Sequence, residues 1–394
     1  MKLNNSILTI VFSSIGHAFM HMFAAFYFVI VLTIEKEWSF NYDELIALWT
    51  MGALLIGLGA VPAGWLSDRW SRSSMMVIMF LGMGMSSILC GLSNEKFSLF
   101  VGLSLLGLAC SIYHPVGIAW VVNSSLKKGK ALGINGIFGG VGIGSGTFVA
   151  GLLIKYFNWK IAFILPGVIS IIIGIILFIC ISKNYINFEN TSSHKLKDSN
   201  FSNNLILIAV IMLFSMFGLG LTFQIMQTSL PKVFEIRIEN ISTFAIGTII
   251  GVIYAIAGLM TLIGGLLADK FSLKKIYIIG IFAQVPCFFF IATFTDFSLI
   301  FVTLIAAMFN SSILPTENIL LAKFTPDKHH GLIYGLKFIV AFGAGPIAVF
   351  LISKIYEQTQ EFTNLFYISS FMMLLVSVSV IFLPVGNKKL NFTN

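Results

Sequence analysis

The sequence predicts an all-α membrane protein of twelve transmembrane helices, arranged as two pseudo-symmetric six-helix bundles. Three observations carry this prediction. The first is composition: the chain is 57% hydrophobic and 10% charged, whereas a soluble domain carries about 25% charged residues. A chain of 394 residues folding in water would need a polar surface. This one cannot build it, so lipid is its main solvent. Its 39 phenylalanines suit a lipid-facing surface. The second observation is a series of apolar runs, each near the roughly 20 residues that cross the hydrocarbon core. The third is an internal repeat, which bears on the whole architecture. Gly64-Trp65-Leu66-Ser67-Asp68-Arg69-Trp70-Ser71-Arg72 returns as Gly265-Leu266-Leu267-Ala268-Asp269-Lys270-Phe271-Ser272, with Asp68 and Asp269 at an offset of 201 residues.

The spans follow in order. The first half holds apolar runs over 6–33, 44–66, 74–93, 97–123, 131–154 and 160–182. The first run continues past Ile30 and is too long for the core of a cleavable signal, so it is expected to be a span. Residues 183–203 are rich in Asn, Ser and Lys and form the one long linker. The second half holds runs over 204–230, 243–267, 275–294, 297–323, 331–353 and 362–384. The expected division is therefore 1–182, a linker over 183–203, and 204–394. Pro115 and Pro315 fall inside the fourth and tenth runs, where kinks are expected, and Pro346 is placed to bend the eleventh. The fifth and eleventh runs are dense in glycine, which lets helix backbones approach closely. The four cysteines show no paired ligand spacing and read as buried thiols. No cofactor and no metal ligand set is assigned.

Charge sets the expected orientation. The net charge of +8 is explained by topology rather than by nucleic acid. With the N-terminus inside, Lys2, Arg69, Arg72, Lys127, Lys128 and Lys130 share the cytoplasmic side with Lys183, Lys270, Lys274, Lys275, Lys323 and Lys388. The opposite side holds fewer cations, among them Lys36, Lys96, Lys232 and Arg237, and most of the carboxylates. That asymmetry places both termini in the cytoplasm.

The repeated pattern, Gly-x-Leu-x-Asp-Arg/Lys followed by cations, resembles the loop signature of the major facilitator superfamily of secondary transporters. The loop lies between the second and third helices of each half. Both copies carry Ser (Ser71, Ser272) where the family commonly has Gly. Gly107 to Ala119, with Ser111-Ile112-Tyr113-His114-Pro115, is similar to the fourth helix of the fosmidomycin-resistance branch. That branch tends to show His and then Asp four residues later in the first helix; here the pair is His17 and His21. The resemblance implies a multi-pass carrier in the bacterial inner membrane, working as a monomer on a small-molecule substrate with a coupling ion, expected to be a proton. It also implies a gate role for Asp68, Arg69, Arg72, Asp269 and Lys270. Asp68 would hold the start of the eleventh span near Gly331, and Asp269 the start of the fifth near Lys130 and Ala131. A carboxylate is favoured at a helix N-terminus. The alternative is that these residues only set topology.

Ionisable groups within hydrocarbon are costly, by about 2.5–3.5 kcal/mol on insertion scales, and are functional suspects by default. His17, His21, His114, Glu317 and Lys337 occupy mid-span positions in the first, fourth, tenth and eleventh runs, and the third, sixth, ninth and twelfth carry none. At a rise of about 1.5 Å per residue, His17 lies about 15 Å deep and His114 about 13 Å deep, both near the midplane. His21 stacks on the same face as His17, at i and i+4. Imidazoles titrate near neutrality and suit a coupling proton; the alternative is that they only bond each other or backbone carbonyls. Glu317 and Lys337 each lie about 9 Å from the cytoplasmic end, which allows a direct ion pair. That pair reads as a structural bridge, as a gate, or as a substrate site in which Lys337 meets an anion while Glu317 takes a proton. Gln224, Gln227 and Asn135, with Asn310 and Asn318, offer neutral hydrogen bonds to a solute or between helices.

These features favour a carrier of a small solute, with a small organic anion suggested by Lys337 and His21. A proton-driven efflux pump of the fosmidomycin-resistance type is the alternative. A membrane-embedded enzyme is a remote one, since no acid, base or metal cluster gathers near one interface in the sequence. No Gly-x-x-x-x-Gly-Lys-Ser/Thr phosphate loop is present, which argues against ATP-driven transport.

Overall fold

The computed structural model describes residues 5–124, 128–186, 204–324 and 330–384. Among these residues there are twelve helices long and apolar enough to cross a membrane, and no strand. The first six are Asn5–Trp38, Tyr42–Ser67, Arg72–Gly91, Lys96–Ser124, Ala131–Tyr156 and Trp159–Ser182. The last six are Leu207–Arg237, Thr243–Lys270, Leu273–Ile291, Asp296–Leu321, Ile339–Thr359 and Thr363–Ile381. Each overlies one expected run. Of the linker 183–203, only 183–186 fall within the described residues.

Prolines explain most of the interruptions. Proline has no N–H to give to the carbonyl four residues back. At Pro115 the fourth span loosens into a π turn, Tyr113–Gly117. At Pro315 the tenth breaks between Ser312 and Leu314, and Thr261 Oγ1 reaches the Ser311 carbonyl, to which Pro315 has no N–H to give (3.5 Å). The ninth breaks at Ala283, just before Pro286. The eleventh helix, His330–Thr359, continues through Pro346. The second span is interrupted at Leu48 without a proline.

Three helix pairs carry the main contact between the halves: first with seventh, second with eleventh, and fifth with eighth. The third packs on the sixth and the ninth on the twelfth, away from this seam. The sixth turns Ile172, Ile175, Ile176 and Phe178 outward, as a lipid-facing helix should. All four cysteines are free; Cys90, Cys110 and Cys287 are buried and Cys180 is half-buried.

The fifth–eighth seam explains why these helices are glycine-rich and where the halves part. At Gly247 an added Cβ would lie 2.3 Å from the Thr147 carbonyl, and at Gly144 it would lie 2.6 Å from that of Gly251. Only glycine permits backbones this close. The seam continues to Gly140, whose Cβ position is 3.0 Å from Gly258 Cα. Beyond that point Gly133, Gly136 and Gly265, which continue the same helix faces at helical spacing, meet nothing within 4 Å. The seam is closed toward the end that carries Glu35 and Lys232 and open toward the end that carries the Asp68 and Asp269 loops.

The closed end is held by charge as well as by packing. Lys232 of the seventh span is 6% exposed and bonds Glu35 of the first (2.7 Å) and Glu235 of its own helix (2.9 Å). Lys36 pairs with Glu235 (2.6 Å). Tyr42 stacks edge-on to Tyr356, and Ser353 Oγ donates to the Asp43 carbonyl (3.1 Å). Glu35, Lys232 and Glu235 belong to helix ends, in Asn5–Trp38 and Asn204–Arg237.

Candidate functional site

Two polar clusters sit within the bilayer span, one in each half. The first is built from the first, fourth and fifth spans. The i, i+4 spacing brings the His17 and His21 rings within 5.0 Å, centre to centre. The π turn at Pro115 presents His114 to both, at 5.5 Å from each. His17 is buried, while His21 and His114 are half-buried. The His114 ring lies 4.9 Å from that of Phe342 on the eleventh helix, so the cluster faces the other half.

Asn135 holds this arrangement rather than standing apart from it. His17 Nδ1 lies 2.8 Å from the Asn135 carbonyl oxygen. A carbonyl only accepts, so Nδ1 carries the proton and Nε2 the lone pair. Tyr113 stacks on the His17 ring (4.6 Å, 17°) and its hydroxyl donates to Asn135 Oδ1 (2.9 Å). Asn135 Nδ2 donates to Ser13 Oγ (3.2 Å), and Ser13 donates to the Gly117 carbonyl (3.0 Å). Two glycines make room: a Cβ at Gly117 would strike the Tyr113 ring, and one at Gly139 would sit 2.7 Å from His17 Nε2.

The second cluster joins the seventh, ninth and tenth spans to the eleventh helix, His330–Thr359. Lys337 Nζ pairs with Glu317 Oε1 at 2.6 Å and donates to Asn318 Oδ1 at 2.6 Å. Tyr277 donates its hydroxyl to Glu317 Oε2 (2.9 Å) and lies 2.9 Å from Ser215 Oγ. Glu317 is 2% and Lys337 9% exposed. The equal depth expected from the sequence is thus a direct pair. Phe342 follows Lys337 by five residues, about 7.5 Å along the helix.

The remaining candidates take different places. Gln224 lies at the contact between the seventh and eleventh helices, with Nε2 3.0 Å from the Cβ position of Gly345. Gln227 is buried one turn further along. Asn310 bonds Gln284 (3.2 Å), a tie between the tenth and ninth helices. Asp68 is exposed and accepts from Arg72 (3.0 Å). Arg69 lies over the Trp65 ring at 4.2 Å. Asp269 and Lys270 are exposed. The expected partner positions near Gly331 and Lys130 lie outside the residues whose side chains are described. Sequence reasoning missed Ser13 and Tyr277. Their signal was a hydroxyl inside an apolar run, which is too common here to single out.

The comparisons agree with this architecture. The family model described as the Major Facilitator Superfamily matches residues 13–257 and 205–392. The riboflavin transporter RibZ of Clostridioides difficile (strain 630) is 27% identical over 36% of this chain and 32% of its own. The 4-hydroxybenzoate transporter PcaK of Pseudomonas aeruginosa is 25% identical over 42% of this chain and 38% of its own. The niacin transporter NiaP of Acinetobacter baylyi is 25% identical over 38% of this chain and 34% of its own. The matched regions therefore span about a third of these relatives' length. A solved structure of a bacterial homolog to the human lysosomal transporter Spinster, inward-facing and occupied, covers 96% of this chain and 95% of its own, with a TM-score of 0.74 at 14% identity. With twelve spans, a repeated loop motif and a family match along nearly all its length, this chain belongs to the major facilitator superfamily.

Proposed function

We propose that this protein carries a small organic anion together with a proton across the bacterial cytoplasmic membrane by alternating access. The observation that carries this reading is the Glu317–Lys337 pair. A buried lysine held by a carboxylate has no net charge to offer. When a proton neutralises Glu317, Lys337 becomes an unpaired buried cation, which is strongly unfavourable. A solute carboxylate entering from the parted seam restores the pair, and Tyr277 remains to hold the protonated side chain. Proton and anion enter as an electroneutral couple, so each favours binding of the other. The histidine cluster, which meets Phe342 about 7.5 Å further along the eleventh helix from Lys337, bounds the far end of the solute's path. The named relatives in the family carry riboflavin, niacin and 4-hydroxybenzoate, which supports a small solute as cargo.

The conformational cycle follows from the seam. We read residues 1–182 and 204–394 as the two bodies, joined by the linker 183–203, with both termini and the Asp68 and Asp269 loops in the cytoplasm. The arrangement described above is then inward-open. Its closed face is the Lys232–Glu35–Glu235 network, and its open face is lined by Gly133, Gly136 and Gly265. Asp68, bonded to Arg72 here, would engage the other half when the cytoplasmic face closes. The opposite state would break the outer network and close the inner glycines, as two bundles rock about a midplane site.

The test is counterflow in proteoliposomes, with radiolabelled carboxylates and neutral solutes. The reading predicts exchange of at least one carboxylate, lost in Lys337→Ala while the protein remains folded. Exchange of amphiphilic drugs with no carboxylate, at the same rate in Lys337→Ala, would replace it with the efflux reading.

A further inference from the structure

The three imidazoles do more than line a wall. His17, His21 and His114 each offer one ring nitrogen, and these three atoms lie within 4.8 Å of one another. We propose that they form a binding site for a divalent late-transition-metal ion of the zinc, nickel or cobalt class. The inference concerns the site alone and stands whether or not the chain carries anions.

The donor chemistry fits. Neutral imidazole suits these ions, and carboxylate or carbonyl ligands, which would favour magnesium or calcium, do not belong to the triad. The geometry is near closure. Nitrogens at the corners of a triangle with 4.8 Å edges stand about 2.8 Å from its centre, and zinc–imidazole bonds are about 2.0–2.1 Å. Ring rotations that move each nitrogen by under about 1 Å would complete the set.

The supporting shell is already built. Ligating histidines commonly donate their other ring N–H to a carbonyl or carboxylate, which fixes the tautomer and aims the lone pair. His17 has this arrangement, with Nδ1 on the Asn135 carbonyl and the ring clamped against Tyr113. The third ligand comes from a π turn, a helix irregularity that recurs at functional sites. Three protein ligands leave a fourth position open, as in zinc sites that bind water or substrate. Here His21 and His114 are half-buried, so that position faces the space between the halves and the ion keeps water on one side.

The experiment uses the full chain in detergent, purified on a histidine-free tag and stripped with a chelator. Cobalt(II) is added alone and its visible ligand-field bands are recorded, followed by zinc(II) competition. The expected result is one cobalt per chain in a three-imidazole site, displaced by zinc. His21→Gln and His114→Gln each weaken binding at least about tenfold while eluting as intact monodisperse protein. Gly139→Ala, which pushes a methyl against the His17 ring, weakens it as well. A double His329→Gln/His330→Gln variant binds as the parent does. Absence of cobalt bands in the parent, or parent-like affinity in both His21→Gln and His114→Gln, overturns the proposal. Loss of binding confined to the His329/His330 variant would overturn it too.

Discussion

Replacing Lys337 by Met leaves Glu317 as a buried carboxylate without its cation. The pair is 2.6 Å long, with side chains 11% and 3% exposed, so water screens it little. Removing one partner of such a pair costs about 3–5 kcal/mol, because the survivor is left charged and unpaired. Glu317 keeps one hydrogen bond, from Tyr277 at 2.9 Å, which places the expected loss near the low end, about 3 kcal/mol. In thermal unfolding of the detergent-purified protein this is a fall on the order of 5 °C. The informative comparison is the double variant Glu317→Gln/Lys337→Met, which removes both charges and keeps the shape. It is expected to lie within about 1 kcal/mol of the parent, since replacing both members of a buried pair is often neutral. The two changes are then strongly non-additive, as residues in direct contact should be. If the double variant falls by the sum of the singles, the two side chains do not stabilise each other, and the reasoning fails.

Three further predictions follow from other parts of the fold. Lys232→Ala leaves Glu35 and Glu235 facing each other at the closed end, and spin labels on the exposed turns at Ser39 and Asn240 should report a longer, broader distance distribution. Gly247→Ala, with its Cβ 2.3 Å from the Thr147 carbonyl, should lower thermal stability, whereas Gly136→Leu, which meets open space here, should fold normally and yet fail in counterflow because the open seam can no longer close. Glu361, between the last two spans, titrates below the usual carboxylate range: burial pushes it up, but hydrogen bonds from Arg237 and Thr363, the Arg237 charge and the Phe362 N–H more than offset this. Its folded value is depressed, so its stabilisation is present above the ordinary carboxylate range and is lost as pH falls through the lowered folded value. Acid titration of the melting temperature should therefore be shallower in Glu361→Gln than in the parent over that window.

The twelve spans and their order were legible in the sequence because apolar length is a direct reading of bilayer thickness, and the Asp68/Asp269 repeat fixed the two-fold organisation. Glu317 and Lys337 were legible as partners because depth along a helix follows from residue count alone. The joint position of His17, His21 and His114 was only half legible. Helical spacing stacks His17 on His21, but rotation of the fourth span, which the π turn at Pro115 sets, decides whether His114 meets them. The Lys232–Glu35–Glu235 network was hidden for a different reason. These residues sit at helix ends, where charge is ordinary, and only the packing of the first helix on the seventh buries them. Asn135 was open to two uses, a hydrogen bond to the solute or one between helices, and the structure sets its backbone carbonyl and its side chain against His17 and Tyr113. No pattern in a single sequence distinguishes those two uses of an amide.

The coupling of anion to proton is most directly tested by proton movement itself. Proteoliposomes with a pH-sensitive dye in a weakly buffered external medium would receive, at zero imposed gradient, the carboxylate identified by counterflow. Saturable external alkalinisation is expected as anion and proton enter together. Glu317→Gln, whose amide mimics the protonated side chain, should retain counterflow and lose the pH change. Anion entry with no pH change in the parent, or an unchanged pH signal in Glu317→Gln, would contradict the role assigned to the Glu317–Lys337 pair.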